Sequence, residues 1–224
     1  FFISNRPLKF RFLKDLEDPN YNQIMYIPTV GFNFYDGVIV GMSLNNRTVL
    51  DKPISFDLIP SFSTTSTSLS GSFNITFNQY LRHSNLFSIR YGIGGSHFRY
   101  APDATYEKLT PFVQLRIREK ELRKNHLQLI NIRNVYVNRE PSSYVKTTGE
   151  NHYSILDLRF TDAKTTITKT FTYSTDLQMA SQFLKTSGEV VYRQLFQNNR
   201  QLNIRFYGGV FLRNNDTKDY FSFA

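Results

Sequence analysis

Four histidines could act as bases or metal ligands: His83, His97, His126 and His152, spaced 14, 29 and 26 residues apart. None lies in an HExxH pattern and no two form an i,i+4 pair, so a helical zinc site has no ligands here. Ser154 beside His152 does not by itself make a nucleophile and its base. Glu107, Glu119, Glu121 and Glu189 are carboxylates with no partnered base or nucleophile in their neighbourhoods. GIGG at 92–95 has the composition of a phosphate loop, but no helix follows to present its N-terminus, and glycine inside a strand relieves crowding. Asp36-Gly37 reads as a turn or strand entry, with calcium binding as the sharper alternative. The acids Asp15, Glu17 and Asp18 read as a solvated loop, with a cation or a partner as the alternative. Catalysis within this sequence is therefore not expected, and neither is a cofactor.

The net charge of +9 comes from Lys and Arg scattered along the chain. The densest run, RIREKELRK from Arg116 to Lys124, carries Glu119 and Glu121 and reads as a strand end and hairpin turn. No nucleic-acid partner is expected. With no Cys, disulfide and thiolate chemistry are excluded. No stretch approaches the ~18 consecutive apolar residues of a membrane-spanning helix. The chain begins with Phe, without a leader, and ends in DYFSFA. Both ends read as cut from something larger.

The elements that must position these residues are strands. In SLSGSFNITFNQY (Ser68 to Tyr80), Leu69, Gly71, Phe73, Ile75 and Phe77 alternate with Ser70, Ser72, Asn74 and Thr76. The same period of two recurs in GVIVGMSL, ISFDLIPSFS and LFSIRYGIGGS, and in most segments beyond. LQLINIRNVYV (Leu127 to Val137) switches parity twice, which a β-bulge at each switch would absorb. DLQMASQFLKTS near 176–187 fits either a short helix or a turn between strands. Turn signals such as NNRT at 45–48, RHSN at 82–85 and QNNR at 197–200 separate the runs. About ten strands of 9–13 residues follow Asp36, joined as consecutive hairpins.

Such strands exceed the ~5–6 residues typical of globular sheets and match the ~9–11 needed to cross a bilayer. Their polar side is Ser, Thr, Asn, Gln, Gly and Arg, which suits a lumen. Tyr80, Tyr100, Tyr106, Tyr136 and Tyr153 stand near strand ends, where interfacial girdles belong. The expected fold is all-β: an antiparallel up-and-down transmembrane β-barrel of about ten or more strands, part of a larger barrel. Residues 1–35 form a lead-in and 36–224 the barrel strands. The lipid-facing set is Val38, Val40, Leu44, Phe56, Leu58, Leu69, Phe73, Ile75, Phe77, Phe87, Ile89, Val113, Leu115, Ile204 and Phe206. The lumen-facing set is Ser70, Ser72, Asn74, Thr76, Arg90, Arg116, Arg118, Arg159, Glu189, Arg193 and Arg205. The arginines are expected to pair with Asp57, Asp157 and Glu189 and fill the lumen, rather than line an anion-selective pore. A soluble sandwich or lipocalin-like barrel is the alternative fold.

One stretch is more specific than alternation. YNQIMYIPTVGFNFYDGVIVGMSLNN (Tyr21 to Asn46) resembles the entry into the outer-membrane barrel at the C-terminal end of gluzincin, aminopeptidase-like metalloproteases of Gram-negative bacteria. SNRPLKFRFLKDLEDPN (Ser4 to Asn20) is similar to the segment leading out of their peptidase part. More loosely, the barrel resembles the barrel-assembly superfamily. The resemblance implies a bacterial outer-membrane location, lipid and lipopolysaccharide as surroundings, and other outer-membrane subunits as partners. It also implies a zinc metallopeptidase domain upstream, whose Zn ligands lie outside this sequence. The expected function is to anchor or dock that domain. The competing expectations are a transporter, insertase or pore acting on its own substrate, and a soluble binding protein.

Overall fold

The computed structural model describes residues 6–13, 18, 20–48, 52–121, 124–146 and 149–215. They form twelve strands: β1 Leu8–Phe12, β2 Asn22–Asn33, β3 Gly37–Asn45, β4 Ile54–Ser63, β5 Leu69–Tyr80, β6 Leu86–Ala101, β7 Ala104–Ile117, β8 His126–Arg139, β9 His152–Thr165, β10 Lys169–Met179, β11 Phe183–Leu195 and β12 Gln201–Asn214. Each is hydrogen-bonded to its neighbour in sequence, in one sheet ordered β1 to β12. β1 runs parallel to β2, with Leu8 opposite Asn22; the sheet is otherwise an up-and-down meander. Among the described residues β1 does not pair with β12, so the ladder is not closed. The fold is thus all-β, with ten strands after Asp36, and residues 1–35 themselves contribute β1 and β2.

The segment DLQMASQFLKTS is the end of β10, a three-residue turn and the start of β11. Its turn is closed by the Ala180 N–H donating to the Phe183 carbonyl (2.9 Å). A register shift falls between Leu184 and Lys185, where β12 carries an extra residue. GIGG lies inside β6, in strand geometry that cradles no phosphate.

Two compact units can be separated. The first comprises Phe1–Asn78, Tyr91–Pro111 and Tyr136–His152; the second comprises Gln79–Arg90, Phe112–Val135 and Tyr153–Ala224. Within the first, the β2–β5 ladders fix which side chains share a face. Val30 stands opposite Val40, Val40 opposite Phe62, and Phe62 opposite Leu69. Beyond the intervening Pro28–Met42 and Pro60–Gly71 pairs, Tyr26, Leu44, Leu58 and Phe73 make a second long row, and Phe56 and Ile75 another. On the reverse face Thr29, Gly41, Ser61 and Ser70 form one row, and Asn45, Asp57 and Asn74 another. A two-residue period in the chain has thus become two chemically different surfaces.

The β3–β4 ladder lapses at Ile59 and Pro60. Pro60 has no N–H to donate, and opposite it in β5 is Gly71 at φ +146°. A Cβ on Gly71 would stand 2.2 Å from the Ile59 carbonyl oxygen. Only glycine accepts that backbone and that approach.

Within the second unit, Phe171, Tyr192 and Ile204 share one row, and Tyr173, Val190 and Phe206 another. Ser174, Glu189 and Tyr207 lie on the reverse face.

Candidate functional site

The first feature is an inversion of ordinary burial. Among the described residues the buried hydrophobic side chains are Met25, Ala101, Ala104, Val137 and Phe183, while Gln23, Asp36, Ser63, Thr76, Asp157, Asp162 and Ser174 are buried polar ones. Large apolar side chains stay outside: Val30 is 77 % exposed, Phe32 75 % and Leu69 73 %. Of the residues expected to face lipid, Val38, Val40, Leu69, Phe73, Val113, Ile204 and Phe206 are exposed; Leu44, Phe56, Leu58, Ile75, Phe77, Phe87, Ile89 and Leu115 are half-buried; none is buried. Of the polar set, Thr76 is buried, Ser70, Asn74, Arg118 and Glu189 are half-buried, and Ser72, Arg90, Arg116, Arg159, Arg193 and Arg205 are exposed.

In the second unit the reverse face carries ion pairs. Arg133 Nη2 donates to Asp157 Oδ2 at 2.7 Å. Arg159 lies directly opposite Asp176, with Nε 3.7 Å from Oδ1. Arg205 donates to Glu189. In the first unit Asp57 meets Arg47 at 3.9 Å. The expected carboxylates are therefore paired, but Asp57 and Asp157 take Arg47 and Arg133, and Arg159 takes Asp176. Arg116 and Arg118 instead lie over the Phe87 ring, 4.7 and 5.5 Å from its centroid. Arg133 and Asp176 escaped the sequence reading because each lay in a segment of ambiguous period. Asp176 does continue the polar series Thr170, Thr172, Ser174, which was the available signal.

The second feature is His126 at the start of β8. Its Nε2 lies 3.0 Å from Asp162 Oδ2 and its Nδ1 contacts Glu119 Oε2. Gln128 Nε2 donates to the same Asp162 oxygen at 2.7 Å. Each ring nitrogen thus faces a carboxylate oxygen, an arrangement that favours the charged ring with both nitrogens donating. Glu119, in the β7–β8 loop, is held below the usual carboxylate range, chiefly by this hydrogen bond. With both ring nitrogens engaged by carboxylates, neither is presented as a base or a metal ligand. The cluster ties the β7–β8 loop to β9.

The third is the β2–β3 turn. Asp36 is fully buried. Its carboxylate accepts from Ser66 Oγ (2.7 Å) and Asn33 Nδ2 (3.0 Å), and Arg99 Nε stands 3.9 Å away. Gly37 follows at φ +67°. Donors from three elements surround the carboxylate, which is the turn expected here and leaves it no vacancy of calcium character.

Ser154 donates to Asn134 Oδ1 at 2.9 Å, and His83 and His152 are exposed. Asp103 in the β6–β7 turn is held at a pKa of about 2, by the Ser142 hydroxyl first and then by Ser143. Glu140 accepts from Thr105 Oγ1 (2.8 Å) and N (2.9 Å), which lowers its pKa. Asp18 receives Lys9 at 3.8 Å, whereas Asp15 and Glu17 lie outside the described residues. Among the described residues no group of three His, Asp or Glu is placed to hold a metal ion. The five tyrosines expected as girdles lie on strands, with Tyr80 last in β5, Tyr100 next to last in β6 and Tyr153 second in β9.

Sequence reading named His97 and Glu107 separately and missed their pairing, as it missed that of Glu119 with His126. His97 Nδ1 is 3.3 Å from Glu107 Oε1, and both line a depression in the first unit with Leu44, Leu58, Leu69, Phe73 and Leu109. Nothing in the spacing of β6 and β7 marks this pair without the register. Compared with known proteins, the chain matched no family model, no curated protein and no solved structure.

Proposed function

We propose that the chain is the membrane-embedded barrel portion of a bacterial outer-membrane protein, and that it anchors or docks a further domain at that membrane. The observation that carries this reading is the inversion of burial: the apolar row Val30, Val40, Phe62 and Leu69 across β2–β5 stands exposed and the rows beside it are at most half-buried, while Ser63 and Thr76 on the reverse face are buried. A soluble sheet loses free energy by presenting Val30, Phe32 and Leu69 to water, whereas in lipid that face gains it. Strand length supports the same reading, since β3–β12 run from 9 to 16 residues against the ~9–11 a tilted spanning strand needs. In lipid each backbone N–H and C=O must be paired. The outer edges of β1 and β12 are therefore paired in the membrane, with each other or with further strands. The ion pairs of the second unit favour a filled lumen over an open pore. The nature of the docked domain, a zinc metallopeptidase, rests on the resemblance of residues 4–46 alone.

The test is fractionation of the expressing cells, followed by extraction of the membranes with urea and then with detergent. Recovery only in detergent is expected; recovery in the aqueous fraction overturns the reading. Val40→Arg sharpens it. On a lipid-facing strand the change costs about 2–4 kcal/mol of folding free energy in vesicles. On a water-exposed strand it costs no more than ~0.5 kcal/mol.

A further inference from the structure

We infer that the depression on the apolar face of the first unit is a binding site for one acyl chain of a membrane lipid. The inference rests on the membrane reading and deepens it. The depression arises from sequence. The row Pro60–Gly71 presents no long side chain, and it lies between two rows that do: Phe62–Leu69 on one side and Leu58–Phe73 on the other. The Phe73 ring leans over Gly95, where a Cβ would stand 2.5 Å from its Cε1, and so leaves the space above Gly71 open. The resulting cavity is about 630 Å³, within the range of small-molecule sites.

Its occupant follows from its chemistry. Most of the lining is aliphatic or aromatic, with Leu44, Leu58, Leu69 and Leu109 presenting no hydrogen-bonding group. Polar groups line it as well, Ser70 and Ser72 from β5 and Ser96, His97, Glu107 and Lys108 from β6 and β7, with Tyr136 beside them; Glu107 meets His97 and accepts from Asn138 at 3.1 Å. A mainly apolar lining that also holds donors and acceptors matches an amphiphile, with its chain along the leucines and its ester or headgroup oxygens at His97 and Tyr136. A valley between side-chain ridges also suits a single chain better than a flat bilayer contact, because a chain seated there has neighbours on three sides.

The protein has no Trp, so one introduced indole reports on one place. Leu109→Trp puts it in the depression; Val40→Trp puts it on the same apolar face away from it. Each variant is titrated in detergent micelles with a phospholipid brominated on its acyl chains. Saturable quenching of L109W is expected at about tenfold less lipid than quenching of V40W, as roughly two additional buried methylenes would give. Coincident curves for the two positions overturn the site. Leu44→Trp replaces L109W if that variant does not fold. A brominated free fatty acid separates the two sources of the chain: equal potency assigns the site to the chain alone, and weaker potency assigns part of the affinity to the headgroup at His97. Failure of the membrane reading is seen separately, as protein that stays in solution when detergent is removed.

Discussion

The β2–β5 region of the first unit and the β9–β12 region of the second obey one alternation and solve its polar side differently. Behind the row Val30, Val40, Phe62 and Leu69 of β2–β5 stand small neutral groups, Thr29, Gly41, Ser61 and Ser70, one per strand, and a charge enters only in the row Asn45, Asp57 and Asn74, where Asp57 meets Arg47 from beyond the strand end. Behind those of β9–β12 stand charges that cross from strand to strand, Arg159 to Asp176 and Glu189 to Arg205. Small groups permit close backbone approach and hold the sheet by its ladder alone. Charges require a partner at a fixed register, so they specify pairing as well as fill space. The first region should therefore be sensitive to added volume and the second to lost charge.

The largest effect is expected in the first region. Gly71→Val places a Cβ against the Ile59 carbonyl at a φ no valine accepts. It should cost about 3 kcal/mol or more, read as a fall in the denaturant midpoint in detergent. Gly208→Ala in β12 has nothing within 4 Å of its new Cβ and should move the midpoint by no more than ~0.5 kcal/mol. Equal effects would remove the distinction between the regions.

An intermediate effect is expected in the second region. Arg133→Met leaves the buried Asp157 without its guanidinium and should cost about 1–2 kcal/mol, discounted because Arg133 itself is half exposed. Adding Asp157→Leu should restore most of that loss, since an apolar pair of similar volume removes the stranded charge. Ser61→Ala in the first region should stay within ~0.5 kcal/mol. A double variant no better than R133M would show that the pair does not act through its charges.

The smallest effect concerns the β6–β7 turn. Asp103 has a folded pKa of about 2, below its ordinary 3.8. A depressed carboxylate contributes stability that is present above its unfolded pKa and is lost as pH falls through the folded value. Contact of the turn with Ser142 and Ser143 should thus hold above about pH 4 and loosen toward pH 2. Asp103→Asn should show that looser state at neutral pH. Amide exchange at Ser143, whose N–H donates to Asp103 at 2.9 Å, reads both.

Much of this was legible in the chain because a strand writes its period directly into sequence. Leu69, Phe73, Ile75 and Phe77 are apolar at every other position whatever they pair with, and the ten strands after Asp36 follow from such runs and the turns between them. β2 was harder to read as a strand: Pro28 interrupts a series that Tyr26, Val30 and Phe32 otherwise keep. The identity of salt-bridge partners was not legible, because Arg133 reaches Asp157 across 24 positions and only register sets that meeting.

By itself the sequence determined the all-β class, the alternation of faces and the absence of helical zinc ligands, since these depend on residue type and local spacing. Tertiary structure decided the rest. It set Gly71 opposite Pro60, brought His97 to Glu107 beside an apolar depression, and closed His126 between Glu119 and Asp162. Each of these depends on which residues of neighbouring strands come level, a quantity fixed by turns and bulges that no single strand contains.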